Sequence, residues 1–105
     1  MKKIFMPTAV VLNVHTAQMP QGEYFDIFVP SWTKTIAVDS DGKVHAFKCS
    51  SHLVVESSDQ WDTCFEWELV ADLEFNCQNW RNLKFEVEFS DESRVGGVFE
   101  VREGV

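Results

Sequence analysis

"CFEWELVADLEF" (residues 64–75) decides how this chain is read. Phe65, Trp67, Leu69, Ala71, Leu73 and Phe75 are apolar, and Glu66, Glu68, Asp72 and Glu74 stand between them. The spacing of Phe65 and Leu69 would suit a helix, but the run of alternating apolar positions fits a period of two far better than 3.6. It predicts a long β-strand. Successive side chains of a strand point to opposite faces, so the aromatic set is expected in the core and the carboxylates in water.

Working outward, "KFEVEF" (84–89) repeats the pattern, with Phe85, Val87 and Phe89 expected inward and Lys84, Glu86 and Glu88 outward. If this strand neighbours the first, Glu66, Glu68, Asp72, Glu74, Glu86 and Glu88 share one solvated face. Like charges facing each other across a sheet cost a few tenths to about 1 kcal/mol per pair, so such a face invites a functional reading. In "TIAVDSDGKVHAFKC" (35–49) two β-prone runs flank a turn in which Gly42 supplies a positive φ. Residues 35–38 are expected to pair with 43–48. "TAVVLNVH" (8–15) and "EYFDIFV" (23–29) read as strands, the second ended by Pro30. "SSHLVVESSDQWD" (50–62) fits an edge strand or a loop, and "NCQNWRNL" (76–83) one helical turn capped by Asn79. "SDESRVGG" (90–97) reads as a turn, after which Phe99 and Val101 point inward in a terminal hairpin with the preceding strand.

The expected fold is therefore all-β: one domain over residues 1–105, an antiparallel sandwich or partly open barrel of about seven strands with at most one short helical turn. An α+β arrangement, one helix on a curved antiparallel sheet, is the alternative. The hydrophobic content of 45% supports a folded globule rather than a disordered tail.

Charge narrows the partners. With 17 acids against 9 Lys and Arg the formal net charge is −8, which disfavours nucleic acid and anionic membranes as ligands and favours a basic partner. The surplus is local: between Glu56 and Glu92 eleven acids face only Arg81 and Lys84, for a local charge of −9. Cys49, Cys64 and Cys77 are an odd set without a C-x-x-C pair, as expected of reduced thiols in a cytoplasmic protein. "MKKIFMPTAVVLNV" begins like a leader, but Pro7 and Asn13 interrupt its apolar run, and it reads as the start of the first strand.

Catalytic signatures are sparse. His45, Cys49 and His52 lack a fourth nearby ligand and the paired spacing of zinc sites, so no metal or other cofactor is expected. A Cys–His nucleophile pair from the same residues has no orienting acid, and Asp39-Ser40-Asp41-Gly42 lacks the distal glutamate of a calcium loop. Carboxylates on an open face keep ordinary acidity, whereas paired-carboxylate catalysis needs one in an apolar pocket. Trp32, after a proline, and Trp61, between Asp59 and Asp62, are candidate surface anchors beside an acidic rim.

The chain's size, its −9 segment and the pattern "DSDGKVHAF … WELVADL … NWRNL" resemble the small acidic proteins that phages and prophages encode against host machinery, including anti-CRISPR and other anti-defence inhibitors. The resemblance implies a non-enzymatic, stoichiometric inhibitor in the host cytoplasm, occupying the positively charged nucleic-acid-binding surface of a defence complex. On that reading Glu66, Glu68, Asp72, Glu74, Glu86 and Glu88 dock on the partner, with Trp61 and Trp32 at the rim. Two other expectations stand beside it. One is a small-ligand sponge with its pocket near His45, Phe47 and Trp32; the other is a virion component that forms a stable homo-oligomer.

Overall fold

The turn at Asp39–Gly42 organises the larger sheet. In the computed structural model, which describes residues 8–87 and 95–102, β3 (Thr35–Val38) and β4 (Lys43–Phe47) pair in register from Thr35↔Phe47 to Val38↔Val44. The hairpin closes through the Asp39 N–H to the Lys43 carbonyl (2.9 Å) and the Gly42 N–H to the Asp39 carbonyl (3.0 Å), with Gly42 at φ +86°. The pairing expected for 35–38 is thus present.

Among the described residues nine strands form three sheets and the only helical pieces are 3-10 turns at Ser51–Leu53 and Trp80–Asn82, so the fold is all-β. The first sheet has the order β2 (Glu23–Val29), β1 (Thr8–His15), β9 (Val95–Arg102). The second runs β7 (Trp67–Asp72), β4, β3, β8 (Lys84–Glu86), and β5 (Val55–Ser57) pairs with β6 (Gln60–Asp62) as a small third sheet.

One pairing differs from the expected antiparallel pattern: β9 lies parallel to β1, from Ala9↔Val95 to His15↔Arg102, rather than closing a hairpin with the preceding strand. Gly96 and Gly97, expected in a turn, lie inside β9, where the register slips between Ala9 and Val11 and the ladder absorbs an extra residue as a bulge. Glu88, Phe89, the rest of the expected turn (90–94) and the leader-like start (1–7) lie outside the described residues.

The core lies between the first two sheets. Val10, Leu12, Val14, Ile27, Val29 and Val101 from one, and Ile36, Val38, Val44 and Ala46 from the other, join a single buried cluster. Phe85 on β8 stacks on Phe99 of β9 at 5.0 Å, tying one side of the sandwich. All four residues of β3 are buried, so its outer face is also covered. The cover comes from the β5–β6 hairpin and the 3-10 turns, which contribute the buried Val54, Trp61, Trp80 and Leu83. Lys84 fastens it by donating to the carbonyls of Ser51 and Val54, both at 2.9 Å.

The strand expected over 64–75 is shorter, 67–72, and its faces are reversed only before a bulge: Trp67 and Leu69 turn outward, while Ala71, Leu73 and Phe75 pack half-buried against the core as expected. Residues directly paired across an antiparallel ladder share a face. Glu68 pairs with Ala46 and Ala71 with Val44, both partners fully buried between the sheets; Trp67 pairs with Phe47 and Leu69 with His45 on the other side. Val70 is the extra residue of a bulge, so the inward set changes phase and Val70 and Ala71 are half-buried. The cover over the outer face stops short of this edge strand, leaving Phe65, Trp67 and Leu69 about half exposed (50%, 54% and 50%).

Gly42 offers a direct test. A Cβ there would stand 2.4 Å from the backbone oxygen of Phe75, and the positive φ is costly for any other residue. Gly42→Ala is expected to destabilise the fold by more than about 1 kcal/mol in urea unfolding, with an unchanged m-value.

Candidate functional site

On the outer face of the four-stranded sheet, between the β7 edge and the β6 strand, lies a pocket of about 80 Å³. His45 and Phe47 of β4 contribute to it, with Trp67 on the β7 side and Trp61 and Asp62 on the β6 side. Asp39 lines the end nearest the hairpin turn. Each element delivers its residue by pleat: β4 sends Val44 and Ala46 into the core, and so must send His45 and Phe47 outward.

Asp39 is the organising group. It is 5% exposed; its Oδ1 accepts the Trp61 backbone N–H at 2.8 Å, and its Oδ2 stands 3.3 Å from His45 Nδ1. Trp61 in turn donates its indole N–H to the carbonyls of Val38 (3.1 Å) and Trp80 (3.3 Å). The covering hairpin is therefore held to β3 by polar bonds made in a buried setting, where leaving one unmade is expensive. His45 also meets the Trp67 ring at 5.2 Å in a near-perpendicular arrangement.

A second, wider groove of about 360 Å³ shares Asp39 and Gln60 with the pocket and adds Asp41 and Asp59. Lys43 Nζ is 3.7 Å from Asp41, an exposed pairing that offsets little of this charge in water. The aromatic pocket thus opens beside a surface lined by carboxylates.

The expected six-carboxylate face is not assembled. β7 and β8 are opposite edges of their sheet with β4 and β3 between them, a separation of about 14 Å, beyond the screening length of about 10 Å at 0.1 M salt. Glu86 accepts the Ser51 hydroxyl at 2.5 Å on the far edge. Glu88 lies outside the described residues. Glu66, Glu68, Asp72 and Glu74 remain together along the β7 side, all exposed. Of these, Glu66 lies 3.8 Å from Lys48 Nζ, and Asp72 Oδ1 accepts the Glu74 N–H at 2.9 Å to shape the turn where Glu74 takes φ +62°.

The tryptophans also fall differently. Trp61 is 7% exposed and is a structural pillar rather than a surface anchor, because its ring and both its N–H groups are engaged inside. Trp32 is half-buried and packs against the core. Trp67, expected inside, is the exposed indole of the site.

His45, Cys49 and His52 separate. His45 faces the pocket, the buried Cys49 thiol meets the Thr63 hydroxyl at 3.5 Å, and His52 is exposed on the first 3-10 turn. Among the described residues no group of three or more His, Cys, Asp or Glu is placed to hold a metal ion, and no helix is long and apolar enough to cross a membrane. No disulfide joins Cys49, Cys64 and Cys77. His45 and Phe47 were legible as pocket candidates and Asp62 as part of an acidic rim beside Trp61, but Asp39 carried no signal beyond turn chemistry.

No protein-family model, curated protein or solved structure gives a significant match to this chain.

Asp39→Ala is expected to orphan the Trp61 N–H and cost about 1–3 kcal/mol in chemical denaturation. The exposed Asp59→Ala is expected to change stability by less than about 0.5 kcal/mol.

Proposed function

We propose that the protein is a non-enzymatic binding protein whose β7 edge docks on a basic surface of a protein partner. The observation that carries this reading is the exposure of Phe65, Trp67 and Leu69 in alternation with Glu66 and Glu68 on one sheet edge. Exposed rings flanked by like charges are poor material for a merely soluble face, where polar residues alone would serve. They are good material for an interface, in which a desolvated aromatic centre supplies affinity and a charged rim supplies steering and register. Asp62 and Asp72 extend that rim.

The sign of the rim selects the partner. A chain of net charge −8 approaches a Lys- and Arg-rich surface with a favourable field and is repelled by nucleic acid. Surfaces of that kind are found where proteins hold nucleic acid, which agrees with the resemblance to phage anti-defence inhibitors. On this reading the protein occupies a nucleic-acid-binding surface of a host complex and displaces its ligand. The sponge reading fares less well, since the pocket at His45 and Phe47 holds about 80 Å³, well below the ~300–1,000 Å³ typical of small-molecule sites, and the wider groove beside it is lined by polar residues without the apolar wall such sites use.

Affinity capture from a bacterial lysate tests the proposal. The immobilised protein should retain a nucleic-acid-binding protein at about 0.1 M salt and release it towards 1 M, as the screening length falls from about 10 Å to about 3 Å. Added nucleic acid should compete. Glu66→Lys/Glu68→Lys should weaken capture by about tenfold or more while leaving the unfolding midpoint close to that of the parent. Capture that is indifferent to salt and to the charge reversal would sink the reading.

A further inference from the structure

We propose that the pocket between Trp67 and Asp62 seats the cationic head of one basic side chain, a lysine ammonium or an arginine guanidinium presented by the partner. The inference rests on the reading of that partner as basic, and specifies the contact that would anchor it.

Size sets the first limit. About 80 Å³ suits a side-chain head and its last methylenes and is well below the ~300–1,000 Å³ of sites for whole small molecules. Wall chemistry sets the second. Trp61, Trp67, Phe47 and His45 bring four rings to one small space, and aromatic faces carry the negative end of a quadrupole. Rings alone would accept either an apolar or a cationic group. Asp62 decides between them: both Asp39 oxygens are engaged by Trp61 and His45, whereas the exposed Asp62 commits only its Oδ1, to the Thr63 N–H at 2.8 Å, and its carboxylate favours a cationic head over an apolar one and repels an anion.

Asp39 Oδ2 stands 3.3 Å from His45 Nδ1, and Asp62 lines the same pocket as a second, exposed carboxylate. Asp41 and Asp59 in the adjoining groove extend the negative field outward along the route by which a long basic side chain would enter. Sheet edges and loops thus converge on a cation receptor built from residues far apart in sequence.

The molecule already uses the same contact twice. Lys84 Nζ stands 5.0 Å from the Trp61 ring centroid, and the Arg81 guanidinium 4.7 Å from that of Trp80. Trp67 has no such cation among the described residues, although it is the most exposed of the four pocket rings. Its indole is the surface on which an incoming cation would gain most.

The test uses the purified protein, 15N-labelled, observed at its indole N–H resonances. The probes are the blocked amino acids Nα-acetyl-lysine methylamide, its Nε-trimethyl form and Nα-acetyl-arginine methylamide, with the norleucine analogue as the neutral isostere and the glutamate analogue as the anion. Saturable shifts of the Trp67 resonance with one or more cationic probes, and none with norleucine or glutamate, are expected. Which cation binds most tightly distinguishes an ammonium seat from a guanidinium one. Trp67→Ala, read at the Trp61 indole resonance, and Asp62→Asn should each weaken the best probe by about threefold to tenfold, with dispersed spectra showing the fold intact. Norleucine binding as well as lysine, or no saturable shift with any cation up to its solubility, overturns the inference. Cation binding without capture of a basic protein would leave the pocket standing and remove the docking reading. Capture without cation binding would do the reverse.

Discussion

Strand β3 has no face in water, and most of the architecture answers that constraint. One side of Thr35–Val38 belongs to the core between the two larger sheets, where Ile36 and Val38 meet the valines of β1 and β2. The other side carries Thr35 and Ala37, which contribute little apolar surface and one hydroxyl in need of a partner. The chain meets both demands by folding residues 49–63 and 76–83 back over the sheet. Thr35 donates to the Cys49 carbonyl at 2.9 Å, and Trp61 fills the space above β3 while bonding its Val38 carbonyl. Polar bonds position the cover, and buried indole area makes it stable.

That cover is too narrow for the sheet beneath it. It reaches across β8, β3 and part of β4, and leaves the outer face of β7 half in water. The pocket is what remains at the margin: Phe47 is hidden, His45 is mostly hidden, Trp67 is open. A site made in this way has a rigid floor, since β4 is paired on both sides, and one wall that depends on the Asp39–Trp61 clasp. The residue that orders the wall therefore also supplies part of its negative field. The stability of the cover and the charge of the pocket are thus coupled through Asp39.

Electrostatics follow topology more than composition. Strand order puts Glu86 on the far edge from Glu66 and Glu68, so carboxylates that are close in pattern act on separate surfaces. In compensation, the β5–β6 turn brings Asp59 beside Asp39 and Asp41 of the hairpin turn, although nothing in the sequence marks it as their neighbour. The negative surface beside the pocket is thus assembled largely from turn residues.

Local conformation was legible from residues close together in the chain. Period-two alternation marked 64–75 and 84–89 as strands, within which 67–72 and 84–86 are strand, and Asp-Ser-Asp-Gly marked the hairpin, because side-chain direction and backbone φ are set by neighbours within a few residues. The β1–β9 parallel pairing, the strand order and the inside face of β7 were decided only by tertiary structure. Alternation says that two faces differ without saying which one meets another sheet, and at an edge strand beside a bulge the aromatic face was left outward. Trp61 and Trp67 exchanged their expected places for the same reason: burial depends on what packs above a residue, and here that is a hairpin from elsewhere in the chain.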